Sequence, residues 1–77
     1  MTKKVDLKKI KQLRLKEELT LADIAYAIGY DSPNGYYYLE RGRSQFTAEK
    51  LAEIADLFGV PIDELFVETH EKETEPR

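Results

Sequence analysis

Two segments of the chain carry the same helical pattern, and this repeat is the strongest constraint on the fold. In residues 20–29 and again in residues 47–59, a threonine precedes apolar side chains at positions i, i+3, i+4 and i+7, and a glycine follows them. Threonine can cap a helix, this spacing places the apolar side chains on one helical face, and glycine favours the left-handed conformation that ends a helix. Both segments are therefore predicted to be amphipathic helices.

Further helices are predicted before and after these two. Residues 7–18 follow Asp6, a candidate cap, and Val5 and Ile10 have the spacing of a hydrophobic staple. A short last helix is predicted to follow Pro61, because proline suits the start of a helix. These elements require an all-α domain.

The segment between the two repeats is predicted to be a helix that begins at Ser32. Ser32 is a candidate cap, and Pro33 stands at the first helical position. Tyr36 and Leu39, at i and i+3, can face the core until Gly42 ends the helix. With this segment, five helices are expected in all.

A β-hairpin is the alternative for the same segment. Asn34-Gly35 between tyrosines is typical of a two-residue hairpin turn. The strand before that turn would contain Gly29 and Pro33, which are both poor members of a sheet. The sequence therefore favours the helix.

Charge is unevenly distributed along the chain. The net charge of −3 has the wrong sign for a protein that coats nucleic acid regardless of sequence. Residues 1–16 hold seven Lys or Arg and one Asp, a net charge of +6, whereas residues 67–77 have a net charge of −2. Lys3 and Lys4 can form a basic arm that reaches DNA or remain a solvated end. We expect one domain over residues 1–66 and an acidic, disordered tail over residues 67–77.

Other features bear on location and on catalysis. No apolar run approaches the roughly 18 residues of a membrane span, no secretory signal opens the chain, and cysteine is absent. A cytoplasmic protein with no membrane partner is expected. His70 is the single histidine, and no residues have the spacing of metal ligands or of a phosphate-binding glycine loop. We therefore expect no enzyme activity, no cofactor, no metal and no small-molecule ligand.

The order of these helices resembles the Cro and lambda-repressor-like proteins, the XRE-type helix-turn-helix family, over about residues 7–66. The residues that carry the resemblance are Leu13-Arg14, Leu19-Thr20, Ala25, Gly29, Leu39-Glu40-Arg41-Gly42 and Leu57-Phe58-Gly59-Val60. The resemblance implies a compact five-helix domain whose helices 2 and 3 form the helix-turn-helix. It also implies a sequence-specific regulator of transcription, a repressor that binds a palindromic operator on double-stranded DNA as a homodimer.

The resemblance assigns roles to individual residues. In related repressors an arginine of the first helix pairs with a glutamate at the end of the recognition helix, which implies a structural ion pair between Arg14 and Glu40. The N-terminal part of a recognition helix meets base edges. The candidate base-reading residues are Ser32, Asn34, Gly35, Tyr37 and Tyr38. The candidate phosphate contacts are Thr20, Arg41, Arg43, Ser44 and Gln45.

The sequence departs from the family pattern at three points. The turn after Gly29 is one residue longer than usual, which shifts the register of the base-reading positions. Leu21 occupies the place where many relatives carry a glutamine that touches a phosphate. Gly35 lies in the first turn of the recognition helix and costs about 1 kcal/mol there relative to alanine. Such a glycine either allows the backbone to approach DNA or is merely tolerated.

The apolar residues near the end of the predicted domain are candidates for a dimer interface, since a two-fold axis presents the same patch twice. These residues are Val60, Ile62, Leu65 and Phe66. They can also close the core of the monomer. The rival interpretation of the whole chain is a protein-interaction module of the same fold, such as an antitoxin, adaptor or antirepressor.

Overall fold

The structure, a computed structural model, describes residues 2–69. It contains four α-helices, one 3₁₀ helix and two short strands. In chain order these elements are β1 (Thr2–Val5), α1 (Leu7–Lys16), α2 (Leu21–Ala27), α3 (Pro33–Glu40), α4 (Ala48–Phe58), the 3₁₀ helix (Ile62–Leu65) and β2 (Phe66–Thr69).

The expectation of an all-α, five-helix domain is wrong. The last predicted helix is a single 3₁₀ turn, and the chain then becomes extended from Phe66 onward. Strand β2 pairs with β1 in an antiparallel sheet, in which Val5 lies opposite Phe66 and Lys4 lies opposite Val67. Residues 67–69, assigned above to the tail, thus belong to a strand, whereas residues 70–77 lie outside the described residues.

The predicted N-terminal caps of three helices are confirmed by their hydrogen bonds. Thr20 and Asp23 form a capping box, in which the Asp23 N–H donates to Thr20 Oγ1 at 3.0 Å and the Thr20 N–H donates to Asp23 Oδ2 at 2.9 Å. The bond from the Thr20 N–H to the carboxylate favours its ionised form and lowers the pKa of Asp23. Asp6 and Thr47 likewise accept backbone bonds at the starts of α1 and α4. Ser32 occupies the cap position of α3, but its side chain makes no capping hydrogen bond.

The core lies between the helices and the 3₁₀ turn. Its buried apolar residues are Ile10, Ile24, Ala25, Ile28, Tyr36, Leu39, Leu51, Ile54, Ala55 and Leu65. Segment 33–40 is helical, so the hairpin alternative is excluded. Gly29 has a φ of 93°, which is the left-handed conformation expected where the chain leaves α2. No helix within residues 2–69 combines the length and apolarity that crossing a membrane requires.

Candidate nucleic-acid interface

Helices α2 and α3 are joined through residues 28–32 and pack against each other. Ala25 is fully buried on α2, which allows the two helix axes to come close. The backbone N–H of Tyr30 donates to the carbonyl oxygen of Ala25 at 2.9 Å, so the turn begins by folding back on α2. The result is a helix–turn–helix unit whose second helix lies next to α1.

A buried ion pair fixes the C-terminal end of α3 to α1. Arg14 Nε lies 2.9 Å from Glu40 Oε2, and Arg14 Nη2 lies 3.1 Å from Glu40 Oε1. Arg14 Nη1 donates a further bond to the carbonyl oxygen of Leu19 at 3.0 Å. The two charged side chains are only 9% and 7% exposed. The fork of the guanidinium therefore matches the carboxylate with two parallel bonds in a site that is nearly dry.

Tyr36 is a third member of this buried group. Its hydroxyl donates to Glu40 Oε2 at 2.8 Å, and its ring meets Phe46 edge to face at a centroid distance of 6.4 Å. Burial raises the pKa of the Tyr36 phenol far above its ordinary value, and the bond to the Glu40 carboxylate adds to this shift. The hydrogen bond to Glu40 also raises the pKa of Arg14. The sequence predicted that Tyr36 faces inward, but its bond to Glu40 was missed, although the i, i+4 spacing allows it.

Replacing Tyr36 by phenylalanine is expected to lower the free energy of unfolding by about 1.5–3 kcal/mol, because Glu40 loses a donor while the ring still packs. The raised pKa also predicts a pH dependence. The phenol ionises first in the unfolded chain, so wild-type stability falls as pH rises above the ordinary value of 10.0. Urea unfolding at about pH 7 and about pH 11 measures this dependence. Between these two pH values, the free energy of unfolding should fall less in Tyr36→Phe than in wild type. Tyr26→Phe, which changes an exposed tyrosine, is the control and should fall as much as wild type. An equal fall in Tyr36→Phe and wild type would contradict this role of Tyr36.

The face of α3 opposite the buried group is exposed. It carries Asn34, Tyr37, Tyr38 and Arg41 at positions i, i+3, i+4 and i+7, which form one stripe along the helix. The rings of Tyr37 and Tyr38 lie 5.6 Å apart, and Arg41 Cζ lies 5.6 Å from the centroid of the Tyr37 ring. These contacts hold three large side chains in a defined arrangement on the solvent side.

The two remaining candidate base-reading residues differ in surroundings. Ser32 is exposed at the start of α3. Gly35 is half-buried, and a Cβ built at this position would lie 2.9 Å from Cδ1 of the Tyr30 ring. A side chain there would collide with the ring. The close approach of Tyr30 is thus a reason for the glycine that the sequence interpretation did not consider.

The candidate phosphate contacts lie in two places. Thr20 is exposed at the start of α2, where its hydroxyl already serves the capping box. Arg41 and the three residues at positions 43–45 are exposed after α3, and the N–H groups of Arg43 and Ser44 both donate to the carbonyl oxygen of Tyr38. A cleft beside this loop is lined by Lys4, Val5, Leu7, Gly42, Ser44, Gln45 and Phe46. Strand β1 thus brings Lys4 to the same cleft as the candidates Ser44 and Gln45.

The four candidate dimer residues are not equivalent. Leu65 is 0% exposed and belongs to the core of the monomer, so it cannot meet a second subunit. Val60 and Phe66 are half-buried against the same core, whereas Ile62 is 37% exposed. Leu65, at the end of the 3₁₀ turn, packs in the core, whereas Ile62, at its start, lies outside the core cluster.

Lys50 on α4 is a site residue that the sequence interpretation missed. Its Nζ donates to the carbonyl oxygen of Ile28 and lies 5.1 Å from the centroid of the Tyr30 ring. Lys50 therefore touches the turn between α2 and α3. Its sequence position, the third of an amphipathic helix, gives no indication of this contact, because it depends on how α4 packs on the turn.

A comparison with protein families gives an independent result. A family model described as a helix-turn-helix domain matches residues 8–66, which include all four α-helices except the first residue of α1. No curated protein and no solved structure matches the chain significantly. The family match covers well over half of the chain, and α2, the turn and α3 form the helix-turn-helix of the family's description. The chain therefore belongs to the helix-turn-helix domain family, in agreement with its resemblance to the XRE-type proteins.

Proposed function

We propose that this protein is a transcriptional repressor that binds a specific double-stranded DNA sequence through α3. The observation that supports it is the two-sided character of this helix. One side is anchored by the buried pair of Arg14 and Glu40, and the other presents the exposed side chains of Asn34, Tyr37 and Tyr38. A recognition helix needs this combination, because its base-reading groups must reach the major groove from a fixed position.

Asn34 is the residue best suited to read a base. It is exposed in the first turn of α3, and an amide can accept from and donate to one adenine edge. Tyr37 and Tyr38 can pack against thymine methyl groups or donate their hydroxyls to phosphates. Ser32 and Gly35 lie at the same end of the helix as Asn34.

Phosphate contacts would place the helix without reading sequence. Arg41, Arg43, Ser44 and Gln45 follow α3 directly, and Thr20 precedes α2. These few cationic contacts and the net charge of −3 predict weak non-specific binding. Tight binding therefore requires two subunits on a palindromic operator, with half-sites about one helical turn apart.

The dimer interface that we propose consists of Val60, Ile62 and Phe66, without Leu65. Ile62 offers an exposed apolar side chain, and Leu57 on the last turn of α4, which is also exposed, would extend this interface. Packing these two residues against their copies about a two-fold axis would remove apolar surface from water. Sedimentation equilibrium over a range of protein concentrations tests this proposal.

Selection from a random duplex library, followed by titration of the enriched sequence at several salt concentrations, tests the function. We expect an enriched palindrome and an affinity that falls with salt. Failure of the folded protein to enrich any sequence at low salt would contradict DNA recognition. That outcome would favour the rival function, an interaction module that binds another protein through the same exposed face.

Two substitutions should separate base reading from phosphate binding. Asn34→Ala is expected to lose about 1–3 kcal/mol of discrimination at one base pair in each half-site, because the bidentate contact is removed. Arg43→Ala should weaken all sequences alike and reduce the slope of log K against log salt by about 0.9 for each phosphate contact that it removes. Affinities for the operator and its single-base variants measure both effects. The reverse pattern would show that a different residue reads the base.

A further inference from the structure

We propose that Lys50 positions the recognition helix by holding the turn before it, and that it thereby determines which DNA sequence α3 selects. This proposal rests on the DNA binding proposed above. It concerns a residue outside both helices of the helix-turn-helix, and it explains how the irregular turn of residues 28–32 keeps a fixed shape.

The first part of the argument is the contact between Lys50 and the end of α2. Lys50 Nζ donates to the carbonyl oxygen of Ile28, the residue that ends this helix, where free carbonyls favour a cation. A Cβ built on Gly29 would lie 3.3 Å from Nζ, so the ammonium sits close over the turn. Glu53 Oε1 lies 3.6 Å from Nζ, within the distance of an ion pair. The charge is therefore fixed over the turn.

The second part is the contact between Lys50 and Tyr30. The ammonium lies 5.1 Å from the ring centroid, within the range of a cation–π interaction. The Tyr30 backbone is bonded to Ala25 on α2. Tyr30 is thus held both by its backbone and by the face of its ring, although it belongs to an irregular segment.

The third part is the contact between Tyr30 and the first turn of α3. A Cβ on Gly35 would be 2.9 Å from Cδ1 and 3.3 Å from Cε1 of the ring, so ring and helix backbone are in close contact. Lys50, Tyr30 and Gly35 therefore link α4 to the N-terminal end of α3. The ion pair of Arg14 and Glu40 fixes the other end. Two fixed ends define the direction of a helix of this length.

The direction of α3 matters because hydrogen bonds to bases tolerate little displacement. A donor and acceptor pair that moves from about 3 Å to beyond about 3.5 Å no longer forms a bond. Asn34 precedes Gly35 directly in the chain. A change in how Tyr30 contacts Gly35 would thus be transmitted to the residue that we propose reads the base.

The test compares Lys50→Met with Lys50→Arg, which keeps a cation and a donor, and with Lys11→Met, which removes an exposed charge from α1. Residual dipolar couplings of the DNA-free protein report the angle between α2 and α3. Titrations report the ratio of affinities for the selected operator and an unrelated duplex. Lys50→Met should change the angle and lower the ratio about tenfold, whereas both controls should stay within about twofold of wild type.

The outcomes are distinguishable. Failure of the wild-type protein to enrich any operator contradicts the DNA binding itself. If wild type enriches an operator and folded Lys50→Met keeps either the helix angle or the affinity ratio, Lys50 does not position α3. A lower melting temperature with an unchanged ratio leads to the same conclusion. Tyr30→Leu, which removes the ring but no charge, should reproduce the loss of Lys50→Met, and an unchanged ratio would overturn the proposal.

Discussion

Replacing Glu40 by alanine is expected to destabilise the protein by about 3–5 kcal/mol, because Arg14 would remain buried and charged without its partner. Two bonds to the guanidinium and the bond from the Tyr36 hydroxyl are lost together. Small domains are stable by only about 5–15 kcal/mol in total, so a large part of the variant should be unfolded at moderate urea concentration. Urea unfolding followed by circular dichroism measures the loss.

Two variants provide the comparison for Glu40→Ala. Glu49→Ala on α4 should change stability by no more than about 1 kcal/mol, since Glu49 is exposed and its carboxylate only complements the start of the helix. Combining Glu40→Leu with Arg14→Met removes both charges and should be less destabilising than Glu40→Ala alone, since no unpaired charge remains. If Glu40→Ala matched Glu49→Ala, the pair would not support the fold.

Leu65→Ala is expected to cost about 2–5 kcal/mol, since a fully buried side chain is replaced and a cavity remains. Ile62→Ala, three residues away in the same 3₁₀ turn, is the matched control. It should cost the monomer much less than Leu65→Ala, because its side chain is 37% exposed and lies outside the core cluster. Under the proposed dimer it should instead weaken self-association.

Unfolding at several protein concentrations separates these two effects. A loss of stability that is independent of concentration indicates a defect inside the monomer, and a loss that shrinks at high concentration indicates a weakened dimer. We expect the first behaviour for Leu65→Ala and the second for Ile62→Ala. Loss of self-association by Leu65→Ala without loss of monomer stability would contradict the position of Leu65 in the core.

The helices were predictable because their signals are local. Thr20 and Thr47 cap helices within a few residues, and the apolar spacing after them identifies the buried face. The sheet was not predictable in this way. Val5 and Phe66 come from opposite ends of the described chain, and each strand has only four residues, so nothing in either segment indicates its partner. The apolar residues after Pro61 were consequently assigned to a helix.

The same distinction applies to the site. The pairing of Arg14 with Glu40 followed from the resemblance, since the partners lie far apart in the sequence. From the sequence, Gly35 was interpreted only by its cost to helix stability. The structure shows why a glycine fits there, since the Tyr30 ring lies too close for a Cβ. Lys50 had no local signal, because its contact with the turn exists only once α4 is packed. Side-chain contacts between residues that are far apart in the chain could thus not be predicted from local sequence patterns.

The sheet has a mechanical consequence for anything joined to the domain. Thr2 lies opposite Thr69, so the chain enters and leaves the described fold at one point, within about 5.5 Å between paired Cα atoms. A pull applied to both ends would open the pairs one after another, beginning at the outer pair, before any load reached the helices. Until the sheet has opened, α3 carries none of that load.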